Sequence, residues 1–132
     1  MPNTVLLERE TTHAIIGAFF EVYRSLGFGF LEHVYALAME SELTDCGHRV
    51  SREVSIPVYY KGKLLTRQRA DMIVDEKVVV EIKSTEVLPR MARRQAANYL
   101  RATTLEVALI LHFGPEPEFY RIIQSNNRVR GT

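Results

Sequence analysis

Asp71, Glu81 and Lys83 are the residues of this chain whose types and spacing could do chemistry. They lie in ADMIVDEKVVVEIKS (70–84), where charged side chains interrupt a run of Val, Ile and Met. A charge in such a strand is costly unless it is paired, solvated or bound to something. Strand side chains alternate faces, so Val78, Val80 and Ile82 share one face and Val79, Glu81 and Lys83 the other. One strand earlier, Met72 and Val74 share a face, with Asp71 and Ile73 opposite. In a hairpin, a two-residue turn at Asp75-Glu76 would pair Asp71 with Val80 and mix apolar with charged positions. A three-residue loop, Asp75 to Lys77, pairs Val74 with Val78, Met72 with Val80 and Asp71 with Glu81. Burial selects the second register, because it gathers Met72, Val74, Val78, Val80 and Ile82 on one core face.

Two carboxylates then stand across from each other, an arrangement that is destabilising by itself. A divalent cation reverses the sign of that interaction, and carboxylate oxygens plus waters suit Mg²⁺ or Mn²⁺. Lys83, one residue pair further along, could stabilise a developing anion, or orient or deprotonate an attacking water. The same residues also fit a plainer description, a solvated face with an ordinary Glu–Lys pair.

Around this segment the pattern sets out the elements that must position it. Thr11 or Thr12 can cap a helix to about Ser25, with Ile15, Ile16, Phe19, Phe20 and Val22 as its apolar side. LGFGF (26–30) reads as a turn. A second helix spans about Leu31 to Asp45, stopped by Gly47. The period then becomes two: VSREVSIPVYY, a KGK turn, LLTRQRADMIV and VVVEIKS read as three strands. Pro89 opens a third helix through about Ala102. LEVALILHF is a strand buried on both faces, and EFYRIIQ a last strand. The order predicts an α/β (α+β) fold with a mixed sheet and helices on its faces.

At 132 residues the chain has room for one domain, 1–132, with a core at about 11–123 and a basic tail at 124–132. Lys and Arg number 17 against 16 Asp and Glu, so no global field draws in a polyanion, and a nucleic-acid surface must be a local patch. The single cysteine, Cys46, excludes an internal disulfide and a Cys-based zinc cage, and reads as a small half-buried thiol in a reducing compartment. His13, His33, His48 and His112 lack metal-ligand spacing and are expected to be solvated or structural. No basic segment followed by an apolar run opens the chain, and no stretch reaches the roughly 18 apolar residues of a membrane span. A cytoplasmic location is expected, with no membrane partner.

Asp71 followed by Glu81-Ile82-Lys83 resembles the signature of the PD-(D/E)XK nuclease superfamily, an acid at the end of one strand and Glu-x-Lys in the next. The usual proline before the acid is replaced by Ala70. More narrowly, GFLEHVY (29–35) resembles the pattern of the GxxExxY family, with Gly29, Glu32 and Tyr35 in register. IPVYYKGK (56–63), RAD (69–71), VVVEIKS (78–84), QAANYL (95–100) and HFG (112–114) extend the match over about residues 11–123. Phe28 stands where that family commonly has proline, and Val22-Tyr23 where it often has Val-His. The resemblance implies a restriction-endonuclease-like αβββαβ core with an extra N-terminal helix.

It also implies that Glu32 is a further acid at the metal and that Gln95 and Tyr99 form a QxxxY element beside the site. Tyr35, one helical turn from Glu32, is expected to pack against the sheet. At about 100° per residue, Gln95, Tyr99, Ala92 and Leu88 share one side of the third helix. Arg90, Arg94 and Arg101 cluster opposite with Asn98, as a solvated face or as DNA contacts. The expected function is a metal-dependent nuclease that hydrolyses DNA, or RNA, through a metal-activated water. Asp71, Glu81 and Glu32 would hold Mg²⁺ or Mn²⁺, with Lys83 and Gln95 beside them. The alternative is a catalytically silent module on the same fold that binds nucleic acid or protein, and a homodimer would join two basic surfaces into one.

Overall fold

A computed structural model describes residues 7–125, so all of the basic tail expected at 124–132 but its first two residues lies outside the described residues. Helices α1 (Arg9–Leu26) and α2 (Glu32–Asp45) precede strands β1 (Val50–Tyr60), β2 (Lys63–Val74) and β3 (Val78–Lys83). Helix α3 (Ala92–Arg101) and strands β4 (Val107–Phe113) and β5 (Pro117–Ile123) complete the order. The strands form one mixed sheet in sequence order, β1-β2-β3-β4-β5. Only β3 and β4 run parallel, and α3 is the crossover that a parallel pair requires. This is the expected restriction-endonuclease-like architecture. No helix among the described residues is long and apolar enough to cross a membrane.

Helices α1 and α2 cover one face of the sheet. Ile15, Phe19, Tyr35, Met39 and Leu43 pack there on Met72, Val74, Val78, Val80, Ile82, Leu109, Leu111 and Phe113. Helix α3 covers the other, where Ala92, Ala96, Tyr99 and Leu100 meet Ile56, Ala70, Val79, Ala108 and Ile110. Strand β4 is buried at all seven positions, as a strand with helices on both faces must be.

The β2–β3 register is the one burial selected: Met72 pairs with Val80, Ile73 with Val79 and Val74 with Val78. The loop has no glycine, so Asp75 and Glu76 adopt left-handed backbone, φ 55° and 58°. It is pinned from outside. Asp75 accepts the Arg49 N–H at 2.9 Å and pairs with His48 Nδ1 at 2.7 Å.

Three local expectations are corrected. Helix α1 begins at Arg9 rather than at a threonine cap. Thr12 is fully buried in its first turn, and its hydroxyl donates to the Arg9 carbonyl. Helix α3 begins at Ala92, because the Ala92 N–H closes a tight turn on the Pro89 carbonyl before helical bonding starts. Cys46 is exposed, since it caps the end of α2 where the chain turns away from the core.

Candidate active site

Regular pairing of β2 with β3 stops at Met72–Val80, and Asp71 and Glu81 lie just beyond. There the two carboxylates replace the ladder. Glu81 Oε2 accepts the Asp71 N–H at 3.0 Å, and Asp71 Oδ2 accepts the Ile82 N–H at 2.6 Å. The acids therefore meet, as the register predicts, but each is bound to the other's strand instead of both projecting from one face.

A slip in strand alternation explains the difference. Ala70 packs with α3 and Met72 with α1 and α2, although residues two apart in a regular strand share a face. Asp71 sits at that slip, turned toward β3. Strand β1 slips at the same level: Arg52 pairs with Glu40 of α2 at 3.0 Å, whereas Ile56 packs on the α3 side. Between them Glu53 has a φ of 53°, a left-handed conformation that non-glycine residues seldom adopt. Arg52 pairs with Met72 and Val54 with Ala70, so Glu53 stands across from Asp71.

Sequence reasoning missed Glu53. The available signal was Arg52, which occupies an inward phase of β1 between Val50 and Val54. Glu53 lines a pocket of about 160 Å³ with Glu32, His33, Ala36, Arg52, Asp71 and Ile82.

The electrostatics are unfavourable for anions. Glu81 is 4 % exposed. Burial, then the Asp71 charge, pushes its carboxyl up to about 8, with Glu32 adding to the rise against the pull of the Asp71 N–H and Lys83. Asp71 is also raised, first by burial, then by Glu32 and Glu53, against the Ile82 N–H and Lys83. Buried next to two carboxyls, the Tyr99 hydroxyl is pushed up to about 12. It remains protonated and donates to the Arg69 carbonyl at 3.0 Å, tying α3 to β2 two residues before Asp71.

Lys83 and Glu32 complete the surroundings. Lys83 Nζ donates to Gln95 Oε1 at 3.4 Å, so the exposed edge of α3 meets the end of β3. Glu32, in the first turn of α2, accepts the Ser84 N–H at 3.1 Å, and Ser84 Oγ donates to the Phe30 carbonyl at 2.5 Å. The loop before α2 depends on Gly29, whose φ of 121° is open to glycine and strained for other residues. Tyr35 does pack, stacking on Phe113 at 4.0 Å, and its hydroxyl donates to the Gly27 carbonyl.

Asp71, Glu81, Lys83, Gln95, Tyr99 and Glu32 thus converge at one end of the β2–β3 pair. Arg90 and Arg94 are exposed and do not line the acid pocket. Arg101 lies in a separate groove between α3 and the β1–β2 hairpin. His48 and His112 are structural, paired with Asp75 and with the Thr85 carbonyl, while His33 lines the acid pocket.

The donor set fits a hard divalent cation. Asp71 Oδ1 and Glu81 Oε1 accept no hydrogen bond among the described residues, and both acids gain from a positive neighbour. No three His, Cys, Asp or Glu side chains among the described residues form a metal-holding group. Mg²⁺ is commonly held by one or two carboxylates with waters and substrate phosphates, a role the Asp71–Glu81 pair could fill.

A model of the PD-(D/E)XK nuclease superfamily matches residues 9–122. The chain belongs to that superfamily. Nucleases of this superfamily generally use divalent metals. The solved structure described as "Crystal structure of SSO0001" shares the fold of this PD-(D/E)XK chain at 22% identity, with a TM-score of 0.56. The alignment covers 72% of this chain and 50% of that one, so the chain spans about half that protein's length. No curated protein matches.

Proposed function

We propose that the protein is a Mg²⁺- or Mn²⁺-dependent nuclease that hydrolyses DNA phosphodiester bonds, within the GxxExxY group of its superfamily. One observation carries this reading: two carboxylates of raised proton affinity meet where β2 and β3 part, with a lysine one residue pair away. Asp71 and Glu81 would hold the ion. When bound, the ion supplies Lewis acidity toward a phosphoryl oxygen and lowers the pKa of a water.

The chain's own groups do the rest. The Asp71 and Ile82 N–H groups fix the two carboxylates, so little reorganisation is needed at the moment of reaction. Lys83 is aimed by the Gln95 carbonyl oxygen and offers its charge to the scissile phosphate as negative charge develops. Glu32, held by the Ser84 N–H across the pocket, is a third carboxylate able to orient the attacking water.

A second reading, a nucleic-acid-binding module without catalysis, is favoured by the near-balanced charge. Supercoiled, linear and single-stranded DNA incubated with pure protein and Mn²⁺ decides between them, with Lys83→Ala beside the wild type. Cleavage by the wild type alone supports the nuclease. Equal cleavage by both proteins, or none by either, contradicts it.

A further inference from the structure

The acid pocket repels a polyanion, yet a nuclease must hold one there. Its neighbour on the sheet has the opposite character. Residues 54–69, the outer part of the β1–β2 hairpin, contain Lys61, Lys63, Arg67 and Arg69 and no acidic residue, in a chain whose charges nearly cancel overall. Ser55 pairs with Arg69 and Pro57 with Arg67, so both arginines share one face of the hairpin. With Glu53, Ser55 and Gln68 they line a groove. Glu53 also lines the acid pocket, so the groove and the pocket adjoin.

Arg69 has only a long 3.9 Å pairing with Glu53, and Arg67 a 3.4 Å hydrogen bond to Ser55 Oγ. At the tip Tyr59 and Tyr60 are 61 % and 57 % exposed and, adjacent in β1, face opposite sides of the hairpin, Tyr59 bordering the groove that holds Arg101. Lys61 Nζ lies 5.3 Å from the Tyr60 ring centroid. The tip is nevertheless well defined, because Lys61 and Gly62 make a two-residue turn with φ 50° and 80°.

A basic groove that tracks a backbone, ending in exposed aromatic rings, is how proteins hold unpaired nucleic acid, since every base offers a π face. A duplex keeps its bases stacked inside and offers those rings nothing. We propose that the β1–β2 hairpin is an arm for the single-stranded flank of a DNA substrate. Arg69 and Arg67 hold phosphates on the way to the acid pocket, and beyond them Tyr59 and Tyr60, one on each face of the tip, stack on unpaired bases that pass over it. The inference rests on the nuclease reading for its direction of feed, but the binding surface stands apart from catalysis.

Fluorescence anisotropy on the full chain in EDTA tests it, with fluorescein-labelled oligothymidylate and a blunt duplex of equal length as probes. Arg67→Ala/Arg69→Ala is expected to weaken oligothymidylate binding about tenfold and to flatten its salt slope by about 1.4, the value for two lost single-strand phosphate contacts. Tyr59→Ala/Tyr60→Ala is expected to weaken oligothymidylate about tenfold and leave the duplex unchanged. All four side chains are exposed, so unchanged melting temperatures separate binding from folding.

Wild-type affinity in either pair, a preference of the wild type for the duplex, or loss in Arg90→Ala/Arg94→Ala instead would overturn the arm. The two proposals fail separately. Arm variants that bind weakly in a protein that never cuts DNA remove the nuclease and leave the arm. Arm variants that bind and cut like the wild type remove the arm and leave the nuclease.

Discussion

Asp71 and Asp75 lie four residues apart on the β2 side of the same hairpin and have opposite characters. Asp75 is satisfied. Burial raises its carboxyl, but the His48 hydrogen bond, the Arg49 N–H and the charges of His48 and Lys77 outweigh that and hold it below the ordinary value. Asp71 is frustrated: burial and neighbouring acids outweigh one N–H and one lysine, and its carboxyl is raised. The first fastens a loop that lacks glycine. The second, with Glu81, stores unfavourable electrostatics that a bound cation would relieve. One strand thus separates the fold's strut from its site, and the partner supplied to each aspartate decides which is which.

The contrast is broken most severely by Asp71→Asn. Cleavage with Mn²⁺ should fall about 10³-fold or more, since the Lewis acidity of a well-held ion is worth several kcal/mol. Initial rates on DNA measure it, and a variant within tenfold of wild type would remove Asp71 from the site. The next largest effect is on stability without metal. The unfolded chain releases the Glu81 proton near the ordinary 4.5 and the folded chain at about 8. Between those values folding takes up a proton, so stability falls as pH rises, by a few kcal/mol across the window. Denaturant melts in EDTA should show that decline, and Glu81→Gln should flatten it.

At Asp75 the sign reverses. Its folded value is depressed, so its contribution is present above the ordinary 3.8 and is lost as pH falls through the folded value. Asp75→Ala should cost about 1–2 kcal/mol at neutral pH, because the Arg49 N–H and the His48 ring lose their acceptor at a partly exposed site. A cost no larger than that of a surface substitution would mean that the loop holds without its pin. The smallest effect is expected at Glu76, exposed with a φ of 58°. Glu76→Gly should stabilise by up to about 1 kcal/mol by relieving left-handed strain, as urea melts would record.

Much of this contrast was legible in the sequence. Register followed from the pairing that buries Met72, Val74, Val78, Val80 and Ile82 together, and it brought Asp71 to Glu81. The buried crossover strand β4 was legible from its unbroken apolar run. Period-two reasoning could not foresee the slip at Asp71 and Glu53, because a left-handed residue within a strand leaves no compositional trace when it is a glutamate. The helix starts at Arg9 and Ala92 were missed for a related reason: backbone turns, not cap side chains, begin those helices. The basic hairpin is visible as four cations without an acid.

Cation binding linked to proton release tests the central claim most directly. Calorimetric titration of Mn²⁺ into metal-free protein at pH 7, in two buffers of different ionisation enthalpy, counts the protons expelled. Binding should release about one proton per ion, as a carboxyl that titrates at about 8 gives way to the metal, and both should be lost in Asp71→Asn. Absence of binding at millimolar Mn²⁺, or binding that releases no proton and survives Asp71→Asn, would contradict it.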